Sequence, residues 1–302
     1  MFEKFFKNSK EENFPDPDLI LLSDLDYDEL EDFENEWLSL DSVIRLKVIT
    51  RTSELAEESV DLDFTSLFRL ALDDPDNEVK ESAILGLWES EERRVIPKLS
   101  MILRQDPQIS VRIAAAKSLG HFALMAVTGK LIEKDSDRIY KPLIEALQDE
   151  SEPIDLRRRA LESVSVFQND DTTNWILWAY QNENVDLKQS AVFSMGKSCN
   201  PIWVPTIVEE LTNEEPSIRY EAATAAGEQL AESAVPHLVD MITDQDIEVR
   251  TAVVQSLGVI GGRLAKKALQ TLLESEDDFT KEIAQEALTV ADLDQPGVDM
   301  SP

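Results

Sequence analysis

The 302-residue chain is poor in the residues that build reactive centres. It holds one cysteine, Cys199, so an internal disulfide and a cysteine-cluster metal site are both excluded. Two histidines, His121 and His237, leave little for histidine-based metal binding or acid–base chemistry. No metal and no other cofactor is therefore expected. No apolar stretch approaches the roughly 18 residues that a membrane span needs. The N-terminus, MFEKFFKNSKEE, lacks the apolar run and small-residue cleavage site of a secretion signal, so a cytoplasmic location is expected. Basic residues are scarce as well: 29 Lys and Arg stand against 61 Asp and Glu, a net charge of −32. A phosphate backbone or an anionic bilayer repels such a surface, so neither nucleic acid nor membrane is expected as a partner. Hydrophobic residues make up 42% of the chain, which is enough for a packed core and argues against disorder throughout.

What is present is an internal repeat. A basic residue recurs at Lys80, Arg112, Arg157, Lys188, Arg219, Arg250 and Lys281, at intervals of 32, 45, 31, 31, 31 and 31 residues. It is preceded by Val, Ile or Leu except at Thr280. Three positions later come Ala83, Ala115, Ala160, Ala191, Ala222, Val253 and Ala284, and seven positions later another apolar residue, such as Leu87, Met195 or Leu257. Those offsets mark one face of a helix. Gly120, Gly196, Gly227 and Gly258 follow, suiting a helix end or a close helix contact. Ile44-Arg45 opens a weaker copy.

A first helix precedes each of these, marked by Pro97, Pro142, Pro205 or Pro236, and proline is tolerated in a first turn because that N–H lacks an intrahelical partner. Asp76, Asp246 and Asp277 stand four residues before their anchors, where a carboxylate can cap the second helix. Each unit is then a helical hairpin. Ordering a residue costs about 1.5 kcal/mol, whereas burying a large apolar side chain stabilises by only about 1.5–3 kcal/mol. A unit of 31 residues with about eight apolar ones, as around Arg219, cannot stand alone. The units must stack, giving an all-α, right-handed α-solenoid of about seven to eight hairpins.

The segment from Val249-Arg250 through Leu257-Gly258 to Gly261 resembles the short bacterial HEAT repeats, also called phycobilisome-lyase HEAT-like repeats. The resemblance spans residues 76–291 and implies an armadillo/HEAT-like superhelix. It is nearly silent on activity, since the same fold hosts scaffolds, lyase subunits and hydroxylases. The His-Glu pairs with which deoxyhypusine hydroxylase holds iron are missing here, so that activity is not expected. Neither a Gly-x-x-x-x-Gly-Lys phosphate loop nor a Gly-x-Ser-x-Gly elbow occurs.

Four stretches depart from the pattern. Residues 1–36 begin with Phe2, Phe5 and Phe6, then carry twelve acidic and no basic residues from Glu11 to Glu36. This is either an acidic interaction arm or a cap over the open end of the solenoid. Residues 37–75 read as an atypical first helical pair, and 292–302, with Pro296 and Gly297, as a disordered tail. An enlarged unit at 121–141 suits a second helix that overruns its usual end, a turn at Gly129, and a lengthened first helix. Its Phe122, Leu124 and Met125 either form a partner-binding ridge or pack on the adjoining helix.

The basic ladder reads as structural, pairing with Glu78, Asp155, Asp186 and Glu248, two residues before their anchors. Arg158 and Arg159, next to ladder residue Arg157, read as a solvated face. A cluster of aromatics (Trp175, Trp178, Tyr180, Phe193, Trp203, Tyr220) is either core or a binding surface. Tyr180, Phe193, Tyr220, Trp178 and Trp203 are its candidate anchors. Cys199 reads as a buried or loop thiol without a nearby base, and His237 as surface.

The sequence thus points to a non-catalytic scaffold that docks a basic or helical protein partner on its concave face. The alternative is a lyase-like or chaperone subunit handling a tetrapyrrole carried by a partner protein. Self-repulsion at a charge of −32 has a measurable consequence. The melting temperature should rise between low and moderate salt in a thermal scan, and a fall would remove repulsion as a major destabilising factor.

Overall fold

The computed structural model describes residues 5–6 and 15–293, and among them every regular element is helical. The chain falls into two compact units, Met1–Ser163 and Val164–Pro302. In the first lie α1 (Asp16–Ile20), α2 (Tyr27–Trp37), α3 (Ser42–Glu58), α4 (Thr65–Ala71), α5 (Asn77–Gly86), α6 (Ile96–Gln105), α7 (Ile109–Val127), α8 (Glu133–Gln148) and most of α9 (Ile154–Val164). The second holds α10 (Asp170–Tyr180), α11 (Val185–Lys197), α12 (Val204–Glu210), α13 (Pro216–Glu228), α14 (Val235–Asp240), α15 (Ile247–Ile260), α16 (Gly262–Leu272) and α17 (Asp278–Leu293). Paired from α2–α3 to α16–α17 these are eight hairpins among the described residues, an all-α solenoid.

Helix starts follow from local chemistry. Asp76 accepts the N–H groups of Glu78 and Val79, and Asp246 those of Glu248 and Val249. Asp277 accepts that of Thr280. Pro97, Pro205 and Pro236 each stand in the first turn of a first helix. Pro142 does not: it lies inside α8, because the enlarged unit extends that helix back to Glu133. The enlarged stretch holds a 19-residue α7, Gly129 at φ +78° and a 16-residue α8. Phe122 and Met125 are buried, but Leu124 is 52% exposed, so only part of the insert packs inward.

The second helices form a row in each unit: α3, α5 and α7 in one, α11, α13, α15 and α17 in the other. Residues three and seven positions after each anchor are buried without exception, as are those one before it apart from Thr280. Backbones approach closely at the glycines. A methyl group on Gly196 would lie 2.8 Å from Ala225 Cα, and one on Gly258 2.8 Å from the Ala287 carbonyl oxygen. At Gly227 the facing residue is Ser256, whose hydroxyl donates to the Ala223 carbonyl (2.7 Å).

The N-terminal stretch covers the end of the first unit. Phe5 and Phe6 pack on Phe33, which meets Trp37, and Leu19, Leu22 and Leu25 are buried. Arg51 of α3 grips Asp16 of α1. Its acids mostly face outward, the polar outer surface a terminal repeat requires. Phe2 and the first acids of the run, Glu11 and Glu12, lie outside the described residues.

Two boundaries shift. Residues 37–75 are not one pair: α3 is a second helix with Arg45 in the ladder position, its first helix is α2, and α4 opens the next hairpin. The tail does not begin at 292, because Asp292 is still in α17 and pairs with Lys266; residues 294–302 lie outside the described residues.

Gly258→Ala should force α15 and α17 apart at a contact made by backbone. Overpacking of this kind costs about 1–3 kcal/mol, and about 2–4 °C of melting temperature per kcal/mol is lost in a unit this size. Thermal unfolding followed by circular dichroism should show a fall of several degrees; an unchanged melting point would mean that the two helices can slide.

Candidate functional site

Five of the ladder cations, Arg45 included, form clamps between successive hairpins. Lys80 binds Asp106, Arg112 binds Glu152, Lys188 binds Glu210 (2.8 Å) and Arg219 grips Asp244 through two nitrogens (both 2.8 Å). Arg45 does the same to Asp74, which also accepts the Trp37 indole N–H (2.8 Å). Arg157 donates to the Leu147 carbonyl, Arg250 to those of Asp244 and Gln245, and Lys281 pairs with Asp278. The acids differ from those expected. Lys80 takes Asp106 where Glu78 was expected, Lys188 is held by Glu210, Arg250 donates to loop carbonyls, and Asp155 lies 3.8 Å from Arg158. Side chains two apart on a helix point in different directions, so the clamp takes its acid from the following hairpin or loop. Arg159 pairs with Glu162 (2.6 Å), so the basic triple is engaged.

The candidate aromatics separate. Tyr180 is tied into a clamp: its hydroxyl donates to Glu210 (2.5 Å), and the Lys188 ammonium lies 5.1 Å from its ring centre. Burial pushes the Glu210 carboxyl up, but Lys188, Tyr180 and the Asn213 amide outweigh it and hold the group below the usual range. Burial and the neighbouring carboxylate push the Tyr180 phenol well above its ordinary value. Trp203 is 6% exposed and belongs to the core, not to a binding surface. Its indole N–H has no acceptor among the described residues. Trp178 is half-buried, edge-on to Trp175 at 5.3 Å, and Phe193 is half-buried beneath the Lys197 ammonium.

Tyr220 opens onto a cleft. Its ring is 38% exposed and lines an open space of about 720 Å³ over α11, α13 and α15. Gln189, Thr251 and Gln255 supply amide and hydroxyl groups, and Glu221, Asp246 and Glu248 supply carboxylates; no Lys or Arg lines it. Gln189 donates to Glu221 (3.0 Å), which steadies that wall. Gln189 and Gln255 were not among the sequence candidates, although the signal was there. Gln189 and Thr251 share the offset of Tyr220 from its anchor, and Gln255 that of Phe193. Cys199 is an exposed loop thiol at φ +47°, His237 is exposed, and His121 packs edge-on to Phe122. Among the described residues no group of three or more His, Cys, Asp or Glu is placed to hold a metal ion, and no helix is long and apolar enough to cross a membrane.

The family profile described as HEAT repeats matches residues 65–139 and 204–289, more than half of the chain. The chain belongs to the HEAT-repeat family. Among solved structures, the complex of CpcE and CpcF of phycocyanin lyase from Nostoc sp. PCC7120 is similar to this HEAT-repeat protein at 17% identity. That match covers 76% of this chain and 94% of the other, with a TM-score of 0.51. E. coli YibA (17% identity, 79% and 96% covered, TM-score 0.45) and human deoxyhypusine hydroxylase (17%, 88% and 96%, 0.39) are also similar. No curated protein matches it in sequence. At such identities the likeness concerns the fold: a scaffold of stacked helical repeats.

Glu210 sets a pH dependence. A carboxyl held below its unfolded value adds stability above that value, about 4.3, and loses it as pH falls through the depressed one. Glu210→Gln should therefore melt lower than the parent at pH 7, with the gap closing toward pH 3 in paired thermal melts. A gap independent of pH would show that the charge on Glu210 contributes nothing.

Proposed function

We propose that this HEAT-repeat protein is a non-catalytic cytoplasmic scaffold that docks a basic or helical segment of a protein partner on the α11–α13–α15 row. The observation that carries this reading is the Tyr220 cleft. A half-exposed tyrosine stands among carboxylates, with amide side chains able to donate and accept and with no cation in the lining. Tyrosine brings apolar area and a polar handle at low entropic cost, which suits a binding anchor. The acidic surround attracts a basic segment and speeds its approach. Catalysis has no part in the proposal, since the aromatics and carboxylates gathered here include no nucleophile–base pair.

Tyr220→Ala combined with Glu248→Lys should cut the recovery of a specific partner from native lysate at least several-fold relative to the parent. Binding should also weaken with added salt. A partner set identical for parent and variant would remove the site. A second reading, a lyase-like subunit acting on a tetrapyrrole-bearing partner, draws support from the likeness to CpcE and CpcF. Under it, mixing the protein with a bilin or haem should produce a new visible absorbance band; an unaltered ligand spectrum would end that reading.

A further inference from the structure

The first unit carries an unusual tryptophan. Trp88 follows α5 and is 51% exposed, and Leu85, one turn earlier, is equally open. A half-exposed indole forgoes much of the stabilisation that its large apolar surface would give if buried. The ring borders an open cleft of about 510 Å³, with Val60, Leu62, Phe64 and Phe68 as its other large apolar members. The floor is firm: the Phe68 ring lies so close over Gly86 that a methyl group there would sit 2.9 Å from it. Trp88 is also pinned by its backbone N–H, which donates to the Leu85 carbonyl (3.1 Å).

The charged side chains that line this cleft are all acidic. Asp63, Glu89, Glu91 and Glu92 line it, and no Lys or Arg does. Glu92 is engaged by Arg69 (2.7 Å) and Glu91 by Lys130 (2.5 Å), both from outside the lining. Asp63 accepts the Thr65 N–H at the start of α4. Glu89 is exposed, with no ion pair among the described residues. An accessible indole face and an unneutralised carboxylate one residue apart both attract a cation. Of the two basic side chains, arginine suits the pair better. Its planar, weakly hydrated guanidinium can stack on the ring and present N–H groups to a carboxylate at its edge, whereas a lysine ammonium keeps its water more strongly.

We infer that the Trp88 cleft is a docking site for an arginine-bearing peptide segment of a protein partner, with the guanidinium stacked on Trp88 and facing Glu89. The site shares no residue with the Tyr220 cleft and stands or falls apart from it.

The test uses the full chain labelled with 5-fluorotryptophan, whose five tryptophans give separate fluorine resonances. Trp88→Phe assigns the Trp88 line, and buried Trp37 reports that the fold is kept. The probe is the peptide acetyl-Gly-Arg-Leu-Arg-Gly-amide, with a twin in which citrulline replaces both arginines at nearly the same shape and no charge. The Trp88 line should move saturably with the arginine peptide and bind the citrulline twin about tenfold more weakly. Glu89→Gln should weaken the arginine peptide several-fold, and Tyr220→Ala should leave the titration unchanged. A stationary Trp88 line, an equal response to the two peptides, or an unaltered titration in Glu89→Gln would each overturn the inference.

Discussion

The structure depends on how closely its second helices pack. Each hairpin has too little apolar surface to hold itself together, so its stability is shared with the next. Contact between α11, α13, α15 and α17 is made where Gly196, Gly227 and Gly258 meet Ala225, Ser256 and Ala287 almost backbone to backbone. Such an approach brings Ala191, Met195, Ala222 and Ala226 into one buried stripe. It also lets the Ser256 hydroxyl satisfy a carbonyl on the neighbouring helix, so the small residue supplies both room and a hydrogen bond.

The same spacing governs the electrostatics. At most anchor positions the cation reaches an acid or a carbonyl of an adjoining loop or hairpin, as Arg219 does with Asp244 and Lys188 with Glu210, whereas Lys281 pairs within its own helix. These clamps are partly withdrawn from water, where a charge needs its partner more than on the open surface. They also shape what is left outside. With the ladder cations turned inward, the Tyr220 and Trp88 clefts are lined by carboxylates and by no basic side chain. The excess of acid in the composition thus appears in the lining of both clefts.

Much of the fold was legible in the chain because its signals are local. The offsets of three and seven and the capping aspartates at Asp76 and Asp246 each act within a turn or two of helix, and the 31-residue spacing repeats them along the chain. Even the enlarged unit announced itself through Gly129 and its extra length. Pro142 misled because a proline looks the same in a first turn and in the body of a helix that starts earlier. The candidate site was less legible. Tyr180 and Tyr220 are alike in sequence, yet one is held by Glu210, thirty residues away, and the other is open. Trp203 had every mark of an exposed anchor except its burial.

The amino-acid order by itself determined that this chain forms helical hairpins, where most of them begin, and which face of each second helix is buried, because those outcomes follow from periodicity and from hydrogen bonds between near neighbours. Only the tertiary structure decided which acid holds which cation, which aromatics are sealed and which line a cleft. Those outcomes turn on side chains some twenty to forty residues apart, as Arg219 is from Asp244 and Arg112 from Glu152. Stacking sets their distances, and no local pattern records it.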